Sequence, residues 1–126
     1  MVIEASPGEV IDRLTILELK LEKISDSAKL SAVRLEQERL MRAVAAAPPI
    51  PGLEPLRAAL KRVNAALWQV EDDLRDYERL QDFGPQFIAL ARSVYRENDR
   101  RCILKQQINA AAGSELSEVK SYAPCE

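Results

Sequence analysis

LEPLRAALKRVNAALWQVEDDLRDY, residues 53–77, decides the fold. Leu56, Leu60, Val63, Leu67, Val70, Leu74 and Tyr77 recur at alternating steps of 4 and 3. That is the a/d line of a helix packed along a seam. A turn, Asp82-Phe83-Gly84, and Pro85 at a helix start follow it. The next helix runs to about Ala112, where Gly113 supplies a stop. It opens with Phe87, Leu90, Ala91 and Val94, then carries six polar or charged residues in a row, Arg96 to Arg101, before Ile103, Leu104 and Ile108. A helix that buries one side should show an apolar residue every three or four positions. The run either leaves the protein body or meets a polar interior.

The N-terminal half repeats the architecture. Ser6-Pro7-Gly8-Glu9 is a helix start with Ser6 as cap, Pro7 in the first turn and Glu9 completing a capping box. Val10, Leu14, Leu17, Leu21 and Ile24 form its seam, widened by Ile11, Ile16 and Leu19, with an end expected near Ser25. Ser25-Asp26-Ser27 turns the chain and caps a second helix over about 27–46, whose stripe is thin: Leu30, Val33, Leu40, Met41 and Val44. Ala47-Pro48-Pro49-Ile50-Pro51-Gly52 cannot be helical. There is no alternating strand pattern and no Asn-Gly turn. The expectation is one all-α domain over 1–126, a four-helix bundle of two antiparallel hairpins (6–46 and 53–112), joined by the Pro-rich connection 47–52, with a tail at 113–126.

The totals narrow the function. The chain has 126 residues, 47% hydrophobic and 30% charged, enough for one packed domain and too apolar for a disordered chain. It has no histidine, which removes the commonest general base and metal ligand and excludes Ser-His-Asp and Cys-His machinery. Net charge is −2, so nothing draws the whole chain to nucleic acid. Five Arg or Lys between Arg92 and Lys105, against Glu97 and Asp99, make one locally basic helix, a weak nucleic-acid signal. No apolar run is long enough to insert in a membrane. The opening MVIEASPGE lacks a secretory signal, so a cytoplasmic location is expected, with Cys102 and Cys125 as free thiols and Cys125 the more exposed.

Extending helix four's seam places Asn98, Arg101, Cys102 and Lys105 inward. Folding the second hairpin about its turn sets Trp68 level with the polar run. It also faces Glu71, Asp72, Asp73 and Asp76 toward Arg92 and Arg96. On helix one, Glu9, Asp12, Arg13 and Lys20 share a sector beside the seam. An unpaired buried charge costs several kcal/mol. Two arrangements avoid that cost. In one, Glu9, Asp12 and Asp72 pair internally with Arg13, Arg101 and Lys105. In the other, the cations line a cleft and meet an anionic ligand. The candidate groove, between helices one, three and four, comprises Glu9, Asp12, Arg13, Lys20, Trp68, Glu71, Asp72, Asn98, Arg101 and Lys105.

SPGEVIDRLTILELKLEKI and FGPQFIALARSVYRENDRRCILKQQIN, followed by GSELSEVKSY, resemble an uncharacterised family of small helical bacterial proteins, often encoded near glycosyltransferases and surface-polysaccharide genes. The resemblance picks out Glu9, Asp12, Arg13, Thr15, Lys20, Trp68, Glu71, Asp72, Asn98, Asp99, Arg101, Lys105, Lys120 and Tyr122, and implies a setting rather than a reaction. Two functions are expected from it and the seams. One is an accessory interaction module, self-associating as a homodimer or docking on a glycosyltransferase. The other is a small all-α enzyme or binder for an anionic metabolite, nucleotide or sugar nucleotide. There Trp68 would stack on a ring and Glu71 or Asp72 would act as base or hold Mg²⁺. No cofactor is expected outside that alternative. The Glu-x-x-Glu pattern of helical pyrophosphatases is incomplete, since Glu18 is followed at 21 by Leu.

Overall fold

The computed structural model describes residues 1–114. Four helices follow in order: α1 (Pro7–Lys23), α2 (Ser27–Ala46), α3 (Leu53–Arg79) and α4 (Pro85–Ala111). The fold is an all-α four-helix bundle of two hairpins, as the seams require. The C-terminal expectations, for Lys120, Tyr122, Cys125 and most of the tail, lie outside the described residues.

Local chemistry sets each boundary. Ser6 is extended and its hydroxyl accepts the Glu9 N–H at 3.3 Å. The Glu9 carboxylate does not close the expected capping box but turns to Lys105 on α4. α1 ends at Lys23, two residues early, because Asp26 caps the next helix by accepting the Lys29 N–H at 2.9 Å. Gly52, at φ 68°, enters α3 in the left-handed region that favours glycine. At the other turn the left-handed residue is Gln81, at φ 53°, rather than Gly84, which lies at φ −74° and donates its N–H to Asp82 Oδ1.

α1 is the hub. It packs against α2, α3 and α4; α3 packs on α4; α2 packs on α1 alone. Its contacts show that α1 lies across the α3/α4 hairpin. Gly8 and Glu9 meet Asn109 and Lys105 of α4, Asp12 meets both Asn64 and Arg101, and Glu18 and Glu22 meet Arg57 and Lys61 of α3. The core sits at this crossing: Ile11, Leu14, Leu60 and Ile108 are at most 1% exposed, flanked by Leu40, Val44, Ile50, Leu53, Leu56 and Leu104. The thin stripe of α2 buries only Val33, and Leu35 and Met41 remain exposed. Among the described residues no helix is long and apolar enough to cross a membrane.

Candidate functional site

The polar run of α4 turns inward at one point. Arg101 reaches across to α1 and grips Asp12 with both ends of its fork, Nε to Oδ1 at 2.8 Å and Nη2 to Oδ2 at 2.5 Å. Asp12 is 1% exposed, so its charge depends on these contacts. A third donor comes from α3, where Asn64 Nδ2 bonds Asp12 Oδ1 at 2.9 Å. The same amide reaches Thr15 Oγ1 at 2.9 Å, and the Thr15 hydroxyl donates to the Asp12 carbonyl at 2.7 Å. Three helices thus meet on one carboxylate. Among the described residues no buried side-chain nitrogen or oxygen lacks a hydrogen-bond partner.

One turn toward the N-terminus of α1, the backbones of α1 and α4 nearly touch. Gly8 donates its N–H to Asn109 Oδ1 at 2.7 Å. A Cβ on Gly8 would stand 2.4 Å from the Lys105 carbonyl oxygen and 2.9 Å from Asn109 Oδ1. Lys105 is buried along its stem and carries its ammonium to Glu9 Oε2 at 2.7 Å. The first two turns of α1 are therefore fixed to α4 by a close approach, a backbone-to-amide bond and two ion pairs.

The expected groove is present in part. Trp68, Glu71, Asp72, Asn98 and Arg101 line one depression of about 550 Å³, with Ile16, Leu19, Leu67, Arg75 and Val94 around them. The other candidates go elsewhere. Glu9 and Lys105 pair beside the Gly8 contact. Arg13 faces α2 and pairs with Glu36 at 2.9 Å. Lys20 is half-buried and joins no ion pair among the described residues. Asp72 is exposed and takes no part in the internal network, contrary to expectation. The reason is register: the crossing of α1 centres on Asn64, two turns before Asp72.

The expected pairing of α3 acids with Arg92 and Arg96 also fails. Glu71 pairs with Arg75 and Asp76 with Arg79, each within its own helix, where i,i+3 and i,i+4 neighbours are always at hand. Arg96 instead lies over the Tyr95 ring, 6.0 Å from its centroid. Of the five cations that made α4 look basic, Arg101 and Lys105 are taken up internally, which weakens the nucleic-acid signal further.

Sequence reasoning missed a second cluster. Glu18 pairs with Arg57 and lies 3.3 Å from Lys61, which also holds Glu22 at 2.8 Å. Burial alone would raise the Glu18 carboxyl, but the hydrogen bond and charge of Arg57, then those of Lys61, outweigh it and hold it below its ordinary 4.5. Glu18 is therefore committed to α3 rather than poised for a metal ion. A depressed carboxyl contributes stability that is complete above its unfolded value and is lost as pH falls through the folded one. The acid limb of a melting-temperature profile should thus be steeper below about pH 4.5 in the parent than in Glu18→Gln. Equal slopes would show that the cluster carries no pH-dependent stability.

Gly8, Asn64 and Asn109 were also missed as site residues. Gly8 alone left a signal: glycine inside a helix costs up to about 1 kcal/mol against alanine, which implies a close approach. The chemistry of the whole assembly is restricted. Asp12 holds three donors and is closed to solvent, so it cannot serve as a general base. Among the described residues no group of three or more His, Cys, Asp or Glu side chains is placed to hold a metal ion. Cys102 is a buried free thiol.

The model of DUF6165, a family of unknown function, matches residues 1–125, and the chain belongs to that family. No curated protein and no solved structure matches the chain.

Proposed function

We propose, from this membership and from the geometry, that the chain is a helical accessory module that works by binding another protein. One observation carries the reading. The side chains best suited to grip a small anion are engaged with carboxylates of the same chain: Arg101 with Asp12, Lys105 with Glu9 and Arg13 with Glu36. The motif Pro-Gly-Glu-x-Ile-Asp-Arg-x-Thr then describes how α1 is locked to the hairpin. The fold also leaves an apolar site open. A cleft of about 680 Å³, whose wall includes Val10, Val44, Pro49, Ile50, Leu53 and Ala112, opens where α1, α2, the Pro-rich connection and α3 meet.

The partner we propose is a glycosyltransferase or another enzyme of surface-glycan assembly in the cytoplasm. That choice rests on the family resemblance and not on the site. Co-purification of the tagged protein at endogenous level from its source cells tests it. Recovery of one glycan-assembly enzyme, lost when Ile50→Asp is introduced in the cleft, is the expected result. Recovery of no such enzyme would remove the proposal.

A second reading has its own support in the groove lined by Trp68, Arg75 and Asn98, which an anionic metabolite or sugar nucleotide could enter, with Mg²⁺ on Glu71 and Asp72. Ligand at 100 times its dissociation constant stabilises a fold by about 2.7 kcal/mol, roughly 5–10 °C at this size. The module reading expects no such shift with nucleotide sugars or nucleotides plus Mg²⁺. A shift abolished by Trp68→Ala would replace it with the second reading.

A further inference from the structure

The α3/α4 hairpin has one covered face and one bare face. α1 lies on the first, through Leu60, Asn64, Arg101 and Ile108. Among the described residues no helix lies on the second, because α2 packs on α1 alone. Two grooves of about 520 Å³ each run down the bare face, both lined by residues of α3, its C-cap Leu80 and α4. Their walls share one heptad register. On α3 and its C-cap, Ala59, Val63, Ala66, Asp73, Tyr77 and Leu80 are separated by steps of 4, 3, 7, 4 and 3, with Arg62 and Asp76 beside them. On α4, Gln86, Leu90, Glu97, Arg100, Leu104 and Gln107 are separated by 4, 7, 3, 4 and 3, with Ile103 beside them. Each helix therefore carries a second heptad line, turned away from α1, of the kind that receives another helix.

The hairpin needs such a layer. Between residues 65 and 101 no residue is buried, so the seam that joins α3 to α4 is wet on at least one side throughout. Leu80 is 75% exposed and Ile103 is 53% exposed. A helix pair buries its apolar stripe only when a further layer is laid on it.

We infer that the occupant is a second copy of this chain, its hairpin packed antiparallel on the first about a two-fold axis. Charge selects this arrangement. Among the described residues, the charges of this face that join no ion pair are Asp73 toward the turn and Arg62 toward the open end, since Asp76 is paired with Arg79 and Arg100 with Glu97. An antiparallel two-fold pair lays the acidic end of each copy on the basic end of the other, twice. A parallel pair would oppose like charges. The area is sufficient: a 27-residue helix is about 40 Å long, and two side by side present roughly 800 Å² per partner, the size of a standard stable interface. Ala59 and Ala66 let the two hairpins approach closely. This contact goes beyond the foreign-partner reading and uses a different face, so either can fail without the other.

Light scattering of the purified full chain at tens of micromolar tests it. The parent should have the mass of two chains. Asp73→Lys with Asp76→Lys should give one-chain mass with unchanged helicity, because two basic ends then meet. Arg62→Glu with Arg100→Glu should do the same for the opposite reason. Mixing the two variants in equal amounts should restore the two-chain mass, since both contacts are attractive in the mixed pair. A parent of one-chain mass, a two-chain mass that either variant leaves intact, or variants that do not pair on mixing would each overturn the proposal.

Discussion

Gly8→Ala is expected to destabilise the protein by about 2–4 kcal/mol, although alanine is the better helix former by up to about 1 kcal/mol. The added methyl would sit 2.4 Å from the Lys105 carbonyl oxygen, a backbone atom that no rotamer change can move away. α1 must back off α4, and the bond from the Gly8 N–H to Asn109 at 2.7 Å lengthens or breaks. Overpacking of this kind costs about 1–3 kcal/mol and a lost hydrogen bond adds about 0.5–1.5 kcal/mol. Urea unfolding of parent and variant checks the sign. Helix propensity alone predicts a small gain, so a variant as stable as the parent or more stable would mean that α1 and α4 are not in contact here.

Asp12→Ala has the larger expected effect, about 3–5 kcal/mol. Asp12 is the point on which α1, α3 and α4 converge, and its removal strands two donor side chains at once. The Arg101 side chain, 29% exposed, loses the carboxylate that receives both ends of its fork. The Asn64 amide, 5% exposed, keeps only Thr15 as acceptor. Breaking a buried pair costs more than the pair is worth, because the partner's desolvation is no longer offset. Calorimetric melting would show the loss directly. A melting temperature within 2 °C or so of the parent would mean that Arg101 swings out to water at little cost.

Asp12 and Gly8 were unequally visible in the sequence. The helices were legible because their signals are local and periodic. The alternating 4 and 3 steps from Leu56 to Tyr77, the Pro-rich break at 47–52 and the Ser6 and Asp26 caps needed no tertiary knowledge. The polar run of α4 was legible as an anomaly, and so was the inward place of Arg101 and Lys105. The partners were not. Arg13 was grouped with Asp12, yet it turns to Glu36 on α2, since adjacent positions on a helix face different neighbours. Asn64 lies beside the α3 seam with no periodic mark that distinguishes it from an exposed amide. The crossing of α1 over the hairpin, which excludes Asp72 and admits Asn64, is set by long-range packing at Leu14, Leu60 and Ile108. The bare face of α3 and α4 went unread for a related reason. Its heptad line shares Val63 and Tyr77 with the seam and alternates them with Ala59, Ala66 and Asp73, which count as neutral or polar in a hydrophobic pattern.

The opening stretch Pro7 to Thr15 acquires a physical meaning from this arrangement. Pro7 starts the helix, Gly8 admits the α4 backbone, Glu9 holds Lys105, Asp12 holds Arg101 and Asn64, and Thr15 completes the contact. Every polar member but Arg13, which turns to α2, is used in fixing α1 to the second hairpin. The side chains that the polar run of α4 sends inward are the other half of that lock.

The most direct test is a double-mutant cycle of Asp12→Ala and Arg101→Leu by urea unfolding. The lock predicts that each single change destabilises, and that the double variant is more stable than the sum of the two implies, by about 1–3 kcal/mol. Additive effects, with Arg101→Leu as stable as the parent, would contradict it. Arg101 would then be free of Asp12, and the polar run of α4 would be open to a ligand.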